Sequence, residues 1–418
     1  MSTGTAAARP TIPRLRDLPA PVRRNLLLLA AGMGALYGMV ELASAVATLT
    51  FVSAGGPRGL VGLAPAVFLS SAALAALPAG RRMDRHGRVP VLRLGFATGV
   101  AGSLTAAAGS FSSSVALVVL GFVLVGASTG TVMLSRAAAA DMYPSDRGHQ
   151  GIALVLFGAV FGAVLGPVVF TPLVASGGHE GSSLGPAWVA ASIFMVAGFA
   201  LASRIRPDPQ QIAREIASKP GSAPAAEPEG LRTIVRRPGM PTALLGAVAS
   251  WAVMVSLMTL IGSALVHDGH GEGAVFPVLG AHFVGMFGLF LLVGPVIDRI
   301  GRRRALSAGL ALLAACAVAL TGTLHSVPLT AVVMFGVGTG WNLAYVAATT
   351  GLSEGAGAAE RGRLLGFADL LSGLAGAGLT IVAGLVLDAH GIAVVAAGAA
   401  LVALLAALVI TARPVRST

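Results

Sequence analysis

A chain of 418 residues in which 55% are hydrophobic and 11% are charged, with a mean hydropathy of +0.84, has too little polar surface to cover a soluble globule. The composition therefore predicts a protein built into a lipid bilayer. Its formal net charge of +11 needs its own explanation, because nucleic-acid-binding proteins carry a similar excess.

Twelve apolar segments, each about long enough to cross a bilayer as a helix, follow one another along the chain. The first six cover residues 26–52, 60–79, 91–111, 115–134, 152–173 and 184–203, and the second six cover residues 242–266, 276–297, 305–324, 328–350, 364–387 and 392–410. We predict an all-α integral membrane protein with twelve transmembrane helices. The first segment is about twice as long as the apolar core of a signal peptide, so we expect it to be retained.

The distribution of basic residues predicts the orientation, because Lys and Arg stay on the cytoplasmic side. Of the 28 Lys and Arg residues, 27 lie in or beside the two tails and the even-numbered connections, and only Arg58 lies in an odd-numbered one. Both termini are therefore expected in the cytoplasm. The positive charge then reflects topology and attraction to anionic lipid, and not nucleic-acid binding. Arg-rich, Lys-poor and Ala-rich usage indicates a bacterium with GC-rich DNA, and hence the inner (cytoplasmic) membrane.

Several kinds of chemistry are excluded by the residues themselves. Lys219 is the sole lysine and Pro220 follows it, so the chain has no phosphate-binding loop, and we expect neither an ATPase activity nor an ATPase subunit. Cys316 is the sole cysteine, which excludes an intramolecular disulfide. Enzyme signatures are absent, so we expect no enzyme and no cofactor. The HDGHGEG stretch at 267–273 has a metal-like spacing, but its glycines and exposure favour a solvated loop without metal.

One motif occurs twice: GRRMDRHGR at residues 80–88 returns as GPVIDRIGR at residues 294–302. The aspartates are 298 − 84 = 214 positions apart, and the acid-Arg-Gly sequences that begin at Asp146 and Glu360 share this offset (360 − 146). The offset predicts two parallel six-helix halves, residues 1–203 (with a tail at 1–25) and 240–418. Residues 204–239 form the polar linker between them. Its Pro-, Ala- and Glu-rich centre predicts flexibility, and DPQQIAREIASK within it predicts a short surface helix.

Two such halves, each with this motif between its second and third helices, resemble the major facilitator superfamily of secondary transporters over essentially the whole chain. In that superfamily the motif aspartate meets the start of a helix in the opposite half, the eleventh helix for Asp84 and the fifth for Asp298. The resemblance implies a cytoplasmic gating loop that releases as the halves rock. The implied residues are Gly80, Asp84, Arg85, Gly87, Arg88, Gly294, Asp298, Arg299, Gly301 and Arg302, with Asp141 as an acidic partner for the arginines.

The alternative for these arginines is that they only set the topology and contact lipid phosphates. This alternative does not explain why an aspartate, Asp84 or Asp298, occupies the same position in both copies of the motif. Gly87 and Gly301 are expected to adopt positive φ in a tight turn, and Gly80 to permit a close helix approach.

The fifth segment contains GAVFGAVLGP, with Gly158, Gly162 and Gly166 at successive fourth positions before Pro167. This stretch resembles the antiporter motif of the twelve-helix exporters in the same superfamily. The alternative is ordinary close packing of helices through small residues. The second half has Thr380 where Gly166 would recur, so the stretch is not duplicated.

Two acidic residues lie within apolar segments, where a charge costs on the order of 2.5 to 3.5 kcal/mol and therefore suggests function. Glu41 is near the middle of the first segment and is our candidate for proton coupling or cation recognition, the alternative being a hydrogen-bonded structural acid. Asp369 is close enough to the cytoplasmic end to serve either in proton coupling or in a latch. His282 is expected to be a neutral imidazole bonded to a carbonyl.

In the superfamily, the first, fourth, seventh and tenth helices line the substrate cavity. The resemblance implies a cavity formed by Tyr37, Glu41, Trp251, Trp341, Asn342 and Tyr345. Arg136 is expected near the cytoplasmic end of the fourth helix, outside this cavity, so inorganic anions, which usually need a fixed positive charge, are expected to be poor substrates. An apolar, aromatic cavity with one carboxylate favours hydrophobic or cationic organic molecules.

The leading hypothesis is a proton-coupled exporter of such a small molecule that works by alternating access, with the proton gradient as its energy source. The alternatives are an importer or uniporter of a neutral metabolite and, more distantly, a transporter-like membrane sensor. The lipid bilayer and the small-molecule substrate are the expected partners.

Overall fold

The structure is a computed structural model that describes residues 18–57, 63–143, 148–165, 169, 184–218, 229–270, 274–357 and 359–412. Throughout these residues the regular secondary structure is helical. The helices of the first half are α1 (Ala20–Ser53), α2 (Leu63–His86), α3 (Arg88–Phe111), α4 (Val115–Val132), α5 (Ser135–Asp141), α6 (Gly148–Phe157) and α7 (Gly185–Ser203). Residues 159–165 continue α6 as helix beyond a turn at Gly158.

Two short helices follow in the linker, α8 (Pro209–Ala217) and α9 (Leu231–Ile234). The second half contains α10 (Met240–His267), α11 (Val275–Phe283), a π-helix (Val284–Gly288), α12 (Phe290–Ile300), α13 (Arg302–Leu320), α14 (Val327–Glu354), α15 (Arg361–His390) and α16 (Ile392–Ala412). The surface helix expected from the linker sequence is α8, and Ile212 and Ala213 on it are buried.

Single glycines separate several consecutive helices. Gly87 lies between α2 and α3 with φ of 93°, Gly301 between α12 and α13 with φ of 84°, and Gly391 between α15 and α16 with φ of 76°. A residue with a Cβ rarely adopts such angles, so glycine allows the chain to reverse within one residue. The positive φ expected at Gly87 and Gly301 is confirmed.

In the described part of the chain, nine helices are long and apolar enough to cross a membrane, or ten if the bent pair α11 and α12 counts as one span. This is consistent with the predicted twelve. The fifth predicted segment, residues 152–173, includes residues 166–168 and 170–173, which lie outside the described residues. On α16, alanines such as Ala399 and Ala403 are buried, whereas Leu401, Leu405 and Leu408 are exposed, as expected of a helix that faces lipid.

The two halves contact each other at one end of the bundle. We call it the basic end, because the arginine-rich loops at 81–88 and 299–304 lie there. A Cβ on Gly80 of α2 would collide with the carbonyl of Gly362 at the start of α15, and one on Gly373 would lie 2.6 Å from the Cβ of Ala73. The α2–α15 contact is therefore close from the basic end as far as Gly373.

Candidate functional site

At the basic end, the carboxylate of Asp84 caps the first turn of α15. Its Oδ1 accepts a hydrogen bond from Gly362 N at 2.9 Å, and its Oδ2 accepts one from Arg363 N at 2.7 Å. Arg88 Nη1 also donates to Asp84 Oδ1 at 2.7 Å. The amides at a helix N-terminus lack partners within the helix and carry partial positive charge, so a carboxylate stabilises them. Asp84 thus joins α2 of the first half to α15 of the second, the helix that the resemblance implied.

A buried chain of charges continues from this contact. Arg88 Nε donates to Asp141 Oδ2 at 2.7 Å, and Arg361 Nη1 donates to Asp141 Oδ1. Arg361 Nε also donates to the carbonyl of Ser353 at 2.9 Å. Asp141 therefore binds one arginine from each half, and the side chains of both arginines, Arg88 and Arg361, are buried. By contrast, Arg85 and Arg299 are exposed.

Asp208 and Gln210, which the sequence analysis did not single out, hold the linker against this site. The Asp208 carboxylate accepts hydrogen bonds from Arg88 N at 3.1 Å and Val89 N at 2.9 Å, and it also caps its own helix through Gln210 N at 2.9 Å. Gln210 Nε2 donates to the carbonyl of Asp84 at 3.0 Å. An Asp-Pro pair at the start of a helix is an N-cap signal that predicts α8, but it does not reveal the second helix that the same carboxylate caps.

The other end of the linker is held by Glu360, which also lies at the basic end. Arg237 donates to both of its carboxylate oxygens, at 2.7 and 2.9 Å, and Glu229 N and Gly357 N donate at 2.8 and 3.1 Å. Burial acts to raise the pKa of Glu360, but these hydrogen bonds outweigh it, so the pKa lies below its ordinary value. The residues that precede α10 are thereby tied to the start of α15.

The second copy of the motif has different surroundings. Asp298 is exposed, and the residues that precede α6, 144–147, lie outside the described residues, so the contact expected between Asp298 and the fifth helix stays a prediction. Arg302, which is equivalent to Arg88, pairs with Glu354 instead, and its side chain is 44% exposed. In the described residues the basic end is therefore asymmetric between the halves.

Five of the six expected cavity residues are linked through an aromatic cluster or lie next to it in the chain. Trp341 stacks on Tyr345 with ring centroids 4.8 Å apart and an interplanar angle of 20°, and Trp251 contacts both rings at 5.8 and 5.9 Å. Phe287, which the sequence analysis missed, lies 6.3 Å from Trp341 and 4.7 Å from Tyr37 of the first half. We call these five rings the aromatic cluster; Asn342 follows Trp341 on α14.

The helix that carries Phe287 is irregular at the aromatic cluster. Residues Val284–Gly288 form a π-helix, and the axes of the helical segments Pro277–Gly288 and Leu292–Ile300 differ by 58°. A π-helical turn shifts the backbone hydrogen bonds by one residue and is often found at functional sites. In transporters, interrupted helices frequently form the substrate site.

Arg136 requires a correction to the sequence analysis. Its side chain is wholly buried; its Nη2 donates to Asp369 Oδ1 at 2.5 Å, and its guanidinium lies 5.5 Å from the centre of the Tyr345 ring. Arg136 therefore contacts the aromatic cluster and supplies a fixed positive charge next to it. This removes the reason for rejecting inorganic anions, and it shows Asp369 in an ion pair between the halves.

Glu41 lies on α1, one helical turn beyond Tyr37, and its side chain is partly exposed. Among the described residues it makes neither a hydrogen bond nor an ion pair. An unpaired carboxylate within a membrane-spanning helix is a functional candidate, because a charge inside the bilayer is unfavourable in free energy and is rarely kept without a role.

The glycines of the fifth predicted segment pack against α1. A Cβ on Gly158 would collide with the carbonyl of Ala30, and one on Gly162 would collide with the carbonyl of Gly34. Close packing of helices is therefore observed, whereas an antiporter role stays a prediction, and Gly166 and Pro167 lie outside the described residues.

The two remaining histidine sites are simpler. His282 Nδ1 donates to the carbonyl of Met334 at 3.0 Å, as expected of a neutral imidazole. In the HDGHGEG loop, His270 Nε2 donates to the carbonyl of Leu324 at 2.8 Å, and Glu272 lies outside the described residues.

Comparison with known proteins identifies what this chain resembles. The sequence model described as Major Facilitator Superfamily matches residues 26–379 and 278–418. An uncharacterized MFS-type transporter of Bacillus subtilis, YdeG, is 28% identical over 86% of this chain and 85% of its own length. The riboflavin transporter RfnT of Brucella anthropi is also 28% identical, over 88% and 90%.

Solved structures share the architecture at lower identity. The proton:xylose symporter XylE matches with a TM-score of 0.74 at 14% identity, over 93% of this chain and 95% of that one. The human organic anion transporter MFSD10 matches with a TM-score of 0.71 at 18% identity, over 94% and 100%. These likenesses show that the chain has the same fold as both proteins.

Proposed function

The chain belongs to the Major Facilitator Superfamily, a family of membrane transporters that are not enzymes, and we propose that it is a proton-coupled exporter of a small organic molecule. The observation that carries this proposal is the unpaired carboxylate of Glu41, one turn from the ring cluster where the two halves meet. A carboxyl group in that place can take up a proton from one side of the membrane and release it to the other. The proton gradient is then the energy source, without a cofactor or an ATPase subunit.

The basic end supplies the other requirement of alternating access, a contact that closes one side. We assign this end to the cytoplasm because of its arginines, with both termini on that side of the inner membrane. Asp84, Asp141 and Arg361 join the halves there through hydrogen bonds and an ion pair. The arrangement corresponds to a transporter closed toward the cytoplasm. Export requires these contacts to break so that substrate enters from inside.

We place the substrate in contact with the aromatic cluster. Its rings suit a hydrophobic or cationic molecule, since aromatic faces attract both apolar surface and positive charge. Arg136 is neutralised by Asp369 in this state, which leaves Glu41 as the unpaired charge near the cluster.

The test uses purified protein in liposomes that contain a pH-sensitive dye, with an imposed proton gradient and a panel of lipophilic cations and neutral metabolites. Glu41→Gln is compared with wild type, and Glu215→Gln, at an exposed position of α8, serves as the matched control. A compound that dissipates the gradient with wild type and Glu215→Gln, but not with Glu41→Gln, supports proton antiport through Glu41. Equal movement of compounds with no proton flux in all three proteins refutes the coupling.

A second candidate is import of a neutral metabolite, which the likeness to the riboflavin transporter RfnT favours. Riboflavin itself belongs in the panel for that reason. Symport acidifies the compartment that receives the substrate, whereas antiport makes it more alkaline. The sign of the dye response in the same liposomes therefore separates the two candidates.

A further inference from the structure

Besides Arg136 Nε and Asp369 Oδ2 of the ion pair, three polar atoms of uncharged side chains at the aromatic cluster lack a hydrogen-bond partner among the described residues. They are the indole Nε1 of Trp341 and both amide atoms, Oδ1 and Nδ2, of Asn342. Both side chains are 0% exposed, so water at the protein surface does not satisfy them. A buried donor or acceptor left unpaired costs about 1 to 3 kcal/mol, so native proteins keep few of them without a reason.

The two residues lie at the aromatic cluster where the two halves meet. Trp341 and Asn342 are consecutive on α14, one turn before Tyr345, whose ring stacks on Trp341. Phe287 faces Trp341 from the irregular π-helical segment. The site therefore combines flat aromatic faces with an unused N–H donor and an unused primary amide.

From this combination we propose that the transported molecule is a planar, uncharged heteroaromatic compound with a lactam-like edge, that is, an N–H beside a C=O. The ring system stacks on the aromatic cluster, and the lactam edge pairs with the Asn342 amide, which offers one acceptor and two donors. Trp341 Nε1 donates to the second lone pair of the lactam carbonyl oxygen. This rests on the proposed transport function and narrows its substrate to one chemical class.

The two side chains also explain why the class is narrower than hydrophobic molecules in general. A purely apolar ligand would leave the Asn342 amide and Trp341 Nε1 unpaired, whereas a lactam replaces the missing partners. A site built to bond a polar edge rejects analogues without that edge, because its own groups then stay unsatisfied.

The test is calorimetric titration of the purified full-length protein in detergent with three related compounds. 2-Quinolone has both the planar ring and the lactam edge, 1-methyl-2-quinolone has the ring without the N–H, and octahydro-2-quinolone has the lactam edge without the planar aromatic ring. We expect 2-quinolone to bind about tenfold more tightly than either analogue, because 1-methyl-2-quinolone loses one hydrogen bond and octahydro-2-quinolone loses the aromatic stacking.

Asn342→Leu is the main variant. It should lower the affinity for 2-quinolone about tenfold, to that of 1-methyl-2-quinolone, and should raise the apparent Tm because it removes the unpaired amide. Should this variant not fold, Trp341→Phe is expected to weaken binding of 2-quinolone as well. Trp188→Phe makes the same change at a tryptophan that packs against Phe122, outside the cluster, and should leave binding unchanged.

Equal affinity for the three compounds, absence of 2-quinolone binding, or unchanged affinity in Asn342→Leu would each overturn the inference. These titrations need no gradient, so they are independent of proton coupling. Selective 2-quinolone binding without proton flux in liposomes supports the substrate class and refutes the coupling. Proton flux driven by another compound, with none of the three quinolones bound, refutes the substrate class and supports the coupling.

Discussion

The ion pair between Arg136 and Asp369 should be strongly coupled, and a double-mutant cycle can measure the coupling. The variants are Asp369→Asn, Arg136→Met and the two combined. In Asp369→Asn the guanidinium stays buried, with the Met133 carbonyl at 3.0 Å and the Tyr345 ring at 5.5 Å as its remaining partners. In Arg136→Met the carboxylate loses its partner instead, but it is 17% exposed and can become neutral by taking up a proton, whereas a guanidinium cannot become neutral by losing one.

These contacts give the expected magnitudes. Removing one member of a buried ion pair costs about 3 to 5 kcal/mol, and the Tyr345 ring offsets roughly 1 kcal/mol of it, so we expect Asp369→Asn to lower the free energy of unfolding by about 3 kcal/mol. For Arg136→Met we expect about 2 kcal/mol, the cost of an unsatisfied but partly hydrated group. The double variant should cost about as much as Arg136→Met alone, which corresponds to a coupling of roughly 3 kcal/mol.

The free energy of unfolding can be measured by titrating the protein in mild detergent with sodium dodecyl sulfate and following its circular dichroism. Glu354→Gln is the control, because it breaks an ion pair with Arg302 that is 44% and 22% exposed and should cost less than about 1 kcal/mol. Additive single effects, or a loss below about 1 kcal/mol in Asp369→Asn, would refute the view that this pair holds the halves together.

Three further perturbations follow from the same structure. Asp84→Asn should speed hydrogen exchange of the first amides of α15 about tenfold or more, because it removes a charged acceptor worth about 1.5 to 3 kcal/mol. Asp298→Asn should leave the exchange of these amides unchanged, and equal effects of the two variants would contradict the contact between Asp84 and α15. Because the pKa of Glu360 is lowered from 4.5 in the folded state, its stabilising contribution is present above pH 4.5 and lost as the pH falls through the folded-state value. Tm measured against pH should fall at acid pH in wild type and fall less in Glu360→Gln. Identical profiles in the two proteins would show that Glu360 does not stabilise the folded state through its lowered pKa. Gly162→Ala should destabilise the protein by about 1 to 3 kcal/mol, because the added methyl group would collide with the backbone of α1. Gly378→Ala adds a methyl group in open space and should be neutral or stabilising, and thermal unfolding of the two variants tests both expectations.

The fold could be predicted from the sequence because hydropathy and charge report directly on the bilayer. The ends of helices could not, since helices continue into water: α1 begins at Ala20, with Arg23 and Arg24 on it, and not at residue 26. The π-helix at Val284–Gly288 was also beyond prediction, because an apolar segment has the same hydropathy whether its backbone is regular or not. Hydropathy therefore predicts where the chain crosses the bilayer, and not how each crossing is shaped.

The candidate site divides in the same way. The contact of Asp84 with α15 could be predicted from the sequence, because the repeated motif resembles the gating loop of a known family. The pairing of Arg136 with Asp369 was not, since the two residues are 233 positions apart and belong to no shared pattern. Arg136 was placed by its distance from a segment end, which gives depth along a helix but not the direction of the side chain. The second role of Asp208 at α3 was missed because linker composition does not identify partners.

The anchored linker has a consequence for how the two halves associate. Residues 204–218 are fastened to the first half through contacts such as those of Asn25 and Asp208, and Glu229 is fastened to Glu360 of the second, so the ten residues 219–228 connect the anchors. Short tethers keep two partners at an effective concentration of roughly millimolar, without any contribution from their interface. The contacts between the halves then do not have to keep the halves associated by themselves. A transport cycle can therefore break a pair such as Arg136 and Asp369 and form it again at every turnover while the two halves stay together.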